Sequence, residues 1–498
     1  MRERVTWLRG LTGLFVALGC SDGASTDTPC AAAFPAAPEG TVTWFVAPDG
    51  TGDGSACSSP LGHIQGAIDA AADGDVILVA PGDYAEALTI TKALSILGAV
   101  GTQTETAFER AGADGVSVII KVPTPDALGV IIKRPADPAT NTQNPAGVII
   151  KLPTEGAPSG GPVHLQGLRI EAPSPAGVQV YGRVAAIEDC VVEGSTGVSE
   201  RIGGWGIYGA GGADVTVRRS RITGGRVGVQ WVGSRGGLWD SLVEANRDGG
   251  VAILDAPDAI ILQGNAVKAN GLYGVGVFGG KGIILQQNAI IGTTAASGAG
   301  GDGVFLGAGD DVVESEVETL DGNFIEDNAR LGLLLAEVRG VIIKNVVSGN
   351  LRGGAWLQDG AIDLRIEQNT LSKNRFVGVA VTRGANAIIL QNNVLDTEAG
   401  ETLAGTIGDG IGLFTGASAR IESNVVKASA RAGVLIDDAA GGAATTVVGN
   451  TVTGPRGIIL QNPRPEAVEV GENTADVETP EAALALLEEA KSGFEKVK

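Results

Sequence analysis

The sequence predicts an all-β fold: a parallel β-helix, a solenoid wound from short strands and closed by a helix at each end. Three observations predict it. The first is a repeat, complete at residues 259–278 as AIILQGNAVKANGLYGVGVF, which returns about a dozen times. Each copy has two fixed points. One is a short polar residue between two apolar runs, here Asn265; the other is a glycine opening a run with apolar second and fourth places, here Gly274. The polar anchors continue as Asn288, Asn323, Asn345, Asn369, Asn393, Asn424 and Asn450, and upstream as Ser241, Ser220, Cys190 and Leu168. The glycine anchors are Gly177, Gly206, Gly228, Gly250, Gly274, Gly303, Gly332, Gly354, Gly378, Gly410, Gly433 and Gly457, spaced 22 to 32 residues apart. That period marks a solenoid whose units bury their apolar edges only against their neighbours. The second observation is alternation: apolar Val251 and Ile253, or Ile411 and Leu413, are separated by outward residues, the two-residue period of a strand. The runs are too short, too β-branched and too interrupted by glycine for helices. The third is composition. With 44% hydrophobic residues and no three-residue period, the 77 glycines read as corner residues rather than collagen or disorder. Asparagine suits a recurrent corner because it tolerates left-handed backbone and its amide can bond to the next coil's asparagine.

Three short strands per coil, stacked in register, account for the pattern. With the turn Gly52-Asp53-Gly54-Ser55 and the opening-coil pattern of residues 63–99, it resembles the right-handed parallel β-helix, or pectin-lyase-like, superfamily. The resemblance covers residues 43–473. It implies a single-stranded right-handed coil and leaves activity open, because such solenoids include lyases, hydrolases, esterases, epimerases and members without chemistry.

Taken in order, residues 1–19 carry Arg2, Arg4 and Arg9 before the apolar run from Leu11 to Leu18, the pattern of a signal peptide. Ala17-Leu18-Gly19-Cys20 resembles a bacterial lipoprotein box, which implies lipidation at Cys20, a membrane partner through that anchor and a place in the cell envelope. Plain secretion is the alternative. Residues 20–42, rich in Ser, Thr, Ala and Pro, form a tether. In an oxidising compartment Cys30 and Cys57 are candidates for a disulfide joining the tether to the first coil. Residues 63–72 put Ile64, Ala67, Ile68 and Ala71 on one helical face, suited to cover the open strand edges of the first coil. Residues 115–153 contain GVSVIIKVPT, GVIIKRPA and GVIIKLPT, and fit strands of one or two irregular coils without a definite place. Their Lys121, Lys133 and Lys151 either gather an anionic ligand or end strands in solvent.

Regular coils run from residue 165 to 473, with nine residues usually separating polar and glycine anchors. Insertions lengthen that step at residues 194–205, 292–302 and 396–409, all at one corner, and others follow Gly303 and Gly433. Residues 474–498 predict a C-terminal capping helix, with Thr479 as cap, Pro480 in the first turn and Ala483, Leu486, Leu487, Ala490 and Phe494 on one face.

A net charge of −21 with no basic cluster argues against a nucleic-acid partner. Only two histidines are present, with no Gly-His-Gly, phosphate loop or nucleophile elbow. A solenoid holds substrate on a lateral face, where outward side chains of adjacent coils line up between loops. Tyr208, Phe278, Phe305, Trp356 and Phe414 are the candidates there for stacking on the sugar rings of a polysaccharide. Asp302, Asp310, Asp311 and Glu314 can offer oxygens to calcium. Asp310 and Asp311, with Arg330 or Arg201 as base, are the candidate catalytic groups. A solvated acidic loop is the plainer account of the same acids. Three functions remain in view: a polysaccharide-binding surface, a lyase or hydrolase acting on acidic glycans, and a structural or protein-interaction scaffold.

Overall fold

The alternation resolves into three long parallel sheets, in a computed structural model that describes residues 33–100, 103–111, 117–125, 128–133, 146–152, 161–171, 176–194, 203–295, 300–308, 315–402, 405–437, 445–461, 468–475 and 477–478. Sheet A has 16 strands, from Thr43–Val46 to Val468–Val470; sheet B has 14, from Gly82–Tyr84 to Thr451–Thr453; sheet C has 15, from Leu88–Ile90 to Val477–Glu478. Each coil visits A, B and C in turn, as in Ile260–Gln263, Ala266–Lys268 and Tyr273–Gly280. Hydrogen-bonded neighbours are therefore one coil apart and parallel, as in the register Val251 to Val275 to Val304. The result is a right-handed parallel β-helix. Its core is the inward row of each sheet, in which Val178, Ile207, Val229, Val251, Val275 and Val304 are all fully buried.

From the strand Val184–Glu188 onward the corner between sheets A and B is two residues long, and its polar anchors form a continuous ladder. The Asn265 amide Nδ2 donates to Asn288 Oδ1 at 2.9 Å and to the Leu238 carbonyl at 2.8 Å, and the Asn265 backbone N–H donates to the same Asn288 oxygen. The ladder continues through Asn323, Asn345, Asn369, Asn392, Asn424, Asn450 and Asn473. Its member in the fourth step is Asn392; Asn393, the expected anchor, is the first residue of the next strand, paired with Thr370. Nor does the asparagine take the left-handed backbone. The residue before it does: Asp189, Arg219, Asp240, Gln287, Lys344 and Gln368 have φ between 45° and 56°. Such a conformation costs roughly 1 kcal/mol for a non-glycine residue, so the ladder's bonds offset strain stored beside them.

A second ladder, five residues downstream, holds the corner between sheets B and C. Asn246 donates to Asn270, Asn328 to Asn350 and Asn350 to Asn374, all near 2.9–3.0 Å. It crowds five of the glycine anchors, Gly228, Gly250, Gly303, Gly332 and Gly354, which are strand residues and not corners. A Cβ on Gly250 would lie 2.8 Å from Asn270 Nδ2, 2.6 Å from the Gly274 carbonyl oxygen and 2.6 Å from Val267 Cγ1. Any side chain there would push the ladder and the next coil apart.

At the N-terminal end the expected helix forms over Ile64–Ala70, burying Ile64, Ala67 and Ile68 against the first coil. His63 makes no side-chain cap bond. Instead the Glu86 carboxylate accepts from the Ile64 and Gln65 N–H groups, and the Lys92 ammonium donates to the carbonyls of Ile68, Asp69 and Ala71. Opposite charges thus sit at the two ends, each where the helix dipole favours it.

The irregular stretch finds a place. Val130–Lys133 joins sheet B and Ala146–Lys151 joins sheet C, while Gln103–Ala111 and Ser117–Pro125 form an antiparallel hairpin. The hairpin folds over the outside of sheet B, setting Phe108, Ile120 and Val122 against Leu242, Ala266, Ala289, Phe324 and Val346. Lys121 pairs with Glu105 and Lys133 with Asp83, so the lysines are spread over three elements and form no joint anion site. Val477–Glu478 adds a strand to sheet C beyond residue 473. The signal peptide, Cys20, Cys30 and residues 479–498 of the expected capping helix lie outside the described residues. Cys57 is disulfide-bonded, with its partner outside them as well. Cys190 is a free, fully buried thiol, pushed up to about 12 by burial.

Asp189 ties the hairpin to the solenoid. Its carboxylate accepts from Gln103 at 2.8 Å, from Gln166 at 2.9 Å and from both Nε and Nη2 of Arg219. Burial opposes its charge, but Arg219 and Gln166 outweigh burial and hold the carboxyl below its ordinary value. The sign follows: this stabilisation is complete above the unfolded carboxylate value of about 3.9 and disappears as pH falls through the lower, folded value. The urea midpoint of the parent chain should exceed that of Asp189→Asn by a constant margin from neutral pH down to about pH 5, then by a shrinking one below about pH 4. A margin that widened on acidification would contradict this.

Candidate functional site

Sheet C differs from the other two in what surrounds it. The corner between A and B carries the hairpin once, between Ser95–Gly98 and Val130–Lys133, and is one or two residues long in every coil from Val163–Gln166 on. The long connections at residues 194–205, 292–302 and 396–409 run from sheet B into sheet C, and those after Gly307 and Asp437 run from sheet C to sheet A. Both borders of sheet C therefore carry the insertions, and its outward face is the floor between them. The hairpin, by contrast, covers sheet B.

The outward places on this floor hold a lane of aromatic rings. Tyr181 and Tyr208 meet edge to face at 6.0 Å between centroids, and Trp205 lies over Tyr208 at 4.4 Å. Trp205 Nε1 donates to Gln230 Oε1 at 2.6 Å, which fixes the indole across two coils, and the Arg226 guanidinium stands 6.0 Å from the indole. Farther along, Tyr273 packs on Phe278 at 5.6 Å and Phe278 on Phe305 at 5.0 Å. Gly276 makes room for them: a Cβ there would come within 2.7 Å of the Phe278 ring and 3.0 Å of Tyr273. Tyr208 and Phe278 stand on strands three spacings apart, about 14 Å. Tyr181 is 39% exposed, and the other rings of the lane are half-buried. Burial raises the phenols of Tyr181 and Tyr208 above their ordinary value and that of Tyr273 to about 12. At neutral pH they are protonated, hence stacking surfaces and hydroxyl donors, not bases.

Of the five aromatics expected on this face, Tyr208, Phe278 and Phe305 take part in the lane. Trp356 and Phe414 do not: at 6% and 5% exposure they belong to a buried cluster with Leu334, Ala380, Leu435 and Ile459. Trp205 and Tyr273 were missed because they stand just before a glycine anchor, at a place that strict two-residue alternation assigns to the inward face along with Ile207 and Val275. Aromatic side chains there, as in Trp205-Gly206 and Tyr273-Gly274, are the signal that could have found them.

The acidic candidates fare differently. Asp302 is buried, and its oxygens accept from Nε and Nη2 of Arg330 and from the Leu331 N–H. Burial raises its carboxyl and Arg330 draws it back, while Asp302 raises the guanidinium further above its ordinary value. In this structure Asp302 is not open to a cation and Arg330 is not a free base. Asp310, Asp311, Glu314 and Arg201 lie outside the described residues. Asp248, at the edge of the lane, is bonded to Arg247 at 2.9 Å and stands 3.6 Å from Arg226. Among the described residues no three His, Cys, Asp or Glu side chains gather to hold a metal ion, and no helix is long and apolar enough to cross a membrane.

Residues 156–319, 205–400 and 312–475 match, in overlapping segments, the family described as right-handed β-helix region, and the chain belongs to that family. No curated protein matches it significantly in sequence. Among solved structures it is similar to the A-module of mannuronan C-5 epimerase AlgE6 from Azotobacter vinelandii, at 16% identity and TM-score 0.45, over 84% of this chain and 94% of that one. It is similar also to the periplasmic alginate epimerase AlgG, at 13% identity and TM-score 0.39, over 67% and 76%. A third likeness is to pectate lyase Pel9A, at 16% identity and TM-score 0.33, over 77% and 79%. Likenesses this remote say nothing of chemistry.

Proposed function

We propose that the chain binds a polysaccharide along the outward face of sheet C, its sugar rings stacking on the lane from Tyr181 to Phe305. One observation carries the reading: two groups of packed aromatic rings, with Tyr181 39% exposed, on the outward face of a sheet flanked by the insertions at residues 194–205, 292–302 and 396–409 on one border and by those after Gly307 and Asp437 on the other. Such rings present large apolar surface at small entropic cost, with a polar edge for hydroxyl groups. The net charge of −21 opposes polyanions at long range, which directs the search first to neutral glycans. The arginine-rich start and Cys20 support export, with a lipid anchor holding the solenoid at the cell envelope and secretion as the alternative. Against a lyase or hydrolase of acidic glycans stands the pairing of Asp248 with Arg247 and of Asp302 with Arg330, which leaves neither carboxylate free.

The test is a glycan array on residues 21–498, followed by calorimetry on the best ligand with the double variant Tyr181→Ala and Tyr208→Ala. Losing two stacking rings at about 1 kcal/mol each should weaken binding by roughly tenfold or more. An unchanged Kd in the folded variant would sink the reading.

A further inference from the structure

Two of the three outward faces are covered in part: the hairpin lies on sheet B, and Phe34 lies on the first strands of sheet A against Val76, Leu78 and Leu97. Farther along, sheet A is bare. From the strand Ile260–Gln263 to the strand Thr445–Val448 its outward places include the half-buried Ile261, Ile284, Val341, Ile343, Ile388 and Leu390, and none of these enters a packed cluster of the described residues. The charges on this face are ordered. In five successive strands the two outward residues are Val341 and Ile343, Arg365 and Glu367, Ile388 and Leu390, Arg420 and Glu422, Thr446 and Val448, each pair in register with the next. Apolar rows thus alternate with charged ones, and in both charged rows the arginine comes first. These rows sum to zero charge on a chain of net −21, so the strip adds nothing to the repulsion between like chains.

We propose that this strip of sheet A is an isologous interface with a second copy of the chain, formed about a two-fold axis parallel to the solenoid. That axis reverses the strands and keeps the order of the coils, so each row meets its own copy end for end. Val341 then faces Ile343 of the second copy, Ile388 faces Leu390, and each arginine faces a glutamate. A two-fold running along the strands would instead set Arg365 on Arg365. Within one chain each arginine already touches its own glutamate, and side-chain exposures of 47% for Arg365 and 61% for Arg420 leave guanidinium N–H groups open to a second carboxylate. The area sets the strength. A strip seven strand spacings long, roughly 34 Å, and two outward side chains wide, roughly 15 Å, covers about 1,000 Å² over both copies, the range of weak complexes.

The test is sedimentation velocity over a dilution series of residues 21–498, with two charge variants: Arg365→Glu with Arg420→Glu, and Glu367→Arg with Glu422→Arg. The parent should pass from monomer to dimer as its concentration rises. Each variant alone should associate roughly tenfold or more weakly, because like charges then face each other, and an equal mixture of the two should regain the dimer. Ile388→Thr with Leu390→Thr changes no charge and keeps strand-forming residues, so it serves if a charge variant fails to fold; it should weaken the dimer severalfold. A parent that stays monomeric throughout the series overturns the proposal. So does a dimer that the folded variants leave intact, or a mixture of charge variants that remains monomeric.

Discussion

Arg431→Ala is expected to destabilise the solenoid by about 3–5 kcal/mol, the usual cost of leaving a buried charge without its partner. Arg431 and Asp409 are 8% and 0% exposed in their side chains, and the guanidinium grips the carboxylate with Nε at 2.9 Å and Nη2 beside the second oxygen. Without it Asp409 must stay ionised in a dry site or take up a proton. The loss should be local, because a coil contacts only its neighbours. Hydrogen exchange should quicken in Asp409–Leu413 and Val434–Asp437 while the strands near residue 76 keep their protection. The double variant Asp409→Leu with Arg431→Met should recover most of the loss, since apolar replacement of a buried pair is often neutral. A double variant as unstable as the single one would show that the pair contributes more than charge compensation.

Asn345→Ala is the second large effect, expected at about 2–4 kcal/mol because it leaves several buried groups without partners. The Asn345 amide donates to the Leu320 and Ile343 carbonyls and to Asn369 Oδ1, and accepts from the N–H and the amide of Asn323. Alanine removes all five contacts at a position that water does not reach. Serine should cost less, because the ladder already runs through serines upstream: the Ser220 N–H donates to Ser241 Oγ at 3.1 Å. Guanidinium unfolding midpoints should therefore fall in the order parent, Asn345→Ser, Asn345→Ala. A serine variant as unstable as alanine would break this account.

Both effects sit on a frame that the sequence made legible in part. The repeat named the strands, and the polar anchors named one corner, because a side chain that must bond to its copy in the next coil recurs at the coil period. The second ladder was equally regular, with Asn265 and Asn270, Asn345 and Asn350, and Asn369 and Asn374 each five apart. It was overlooked beside the glycine anchors, five of which stand against its amides. Asn393 and Asn392 differ by one place, and two adjacent asparagines carry no sign of which one turns inward. The left-handed residues were not legible, since Asp, Arg, Gln and Lys all serve and only the corner's geometry demands that backbone.

For the site the division is sharper. Alternation along a strand tells in from out, and so placed Tyr208, Phe278, Phe305, Trp356 and Phe414 correctly on the outer surface of one sheet. It cannot tell which outward residues meet water. Tyr208 and Trp356 occupy equivalent places six coils apart, yet one is half-buried and the other buried, because burial depends on the neighbours that each ring meets and not on its place in the repeat. Likewise Asp302 and Arg330, 28 residues apart, neutralise each other only through the stacking of one coil on the next. The sequence alone determined the coil, since short-range alternation and a fixed period leave a strand no other way to bury its apolar side. Only the tertiary structure decided which flank is open and which charges are spent, since those depend on distances across the solenoid.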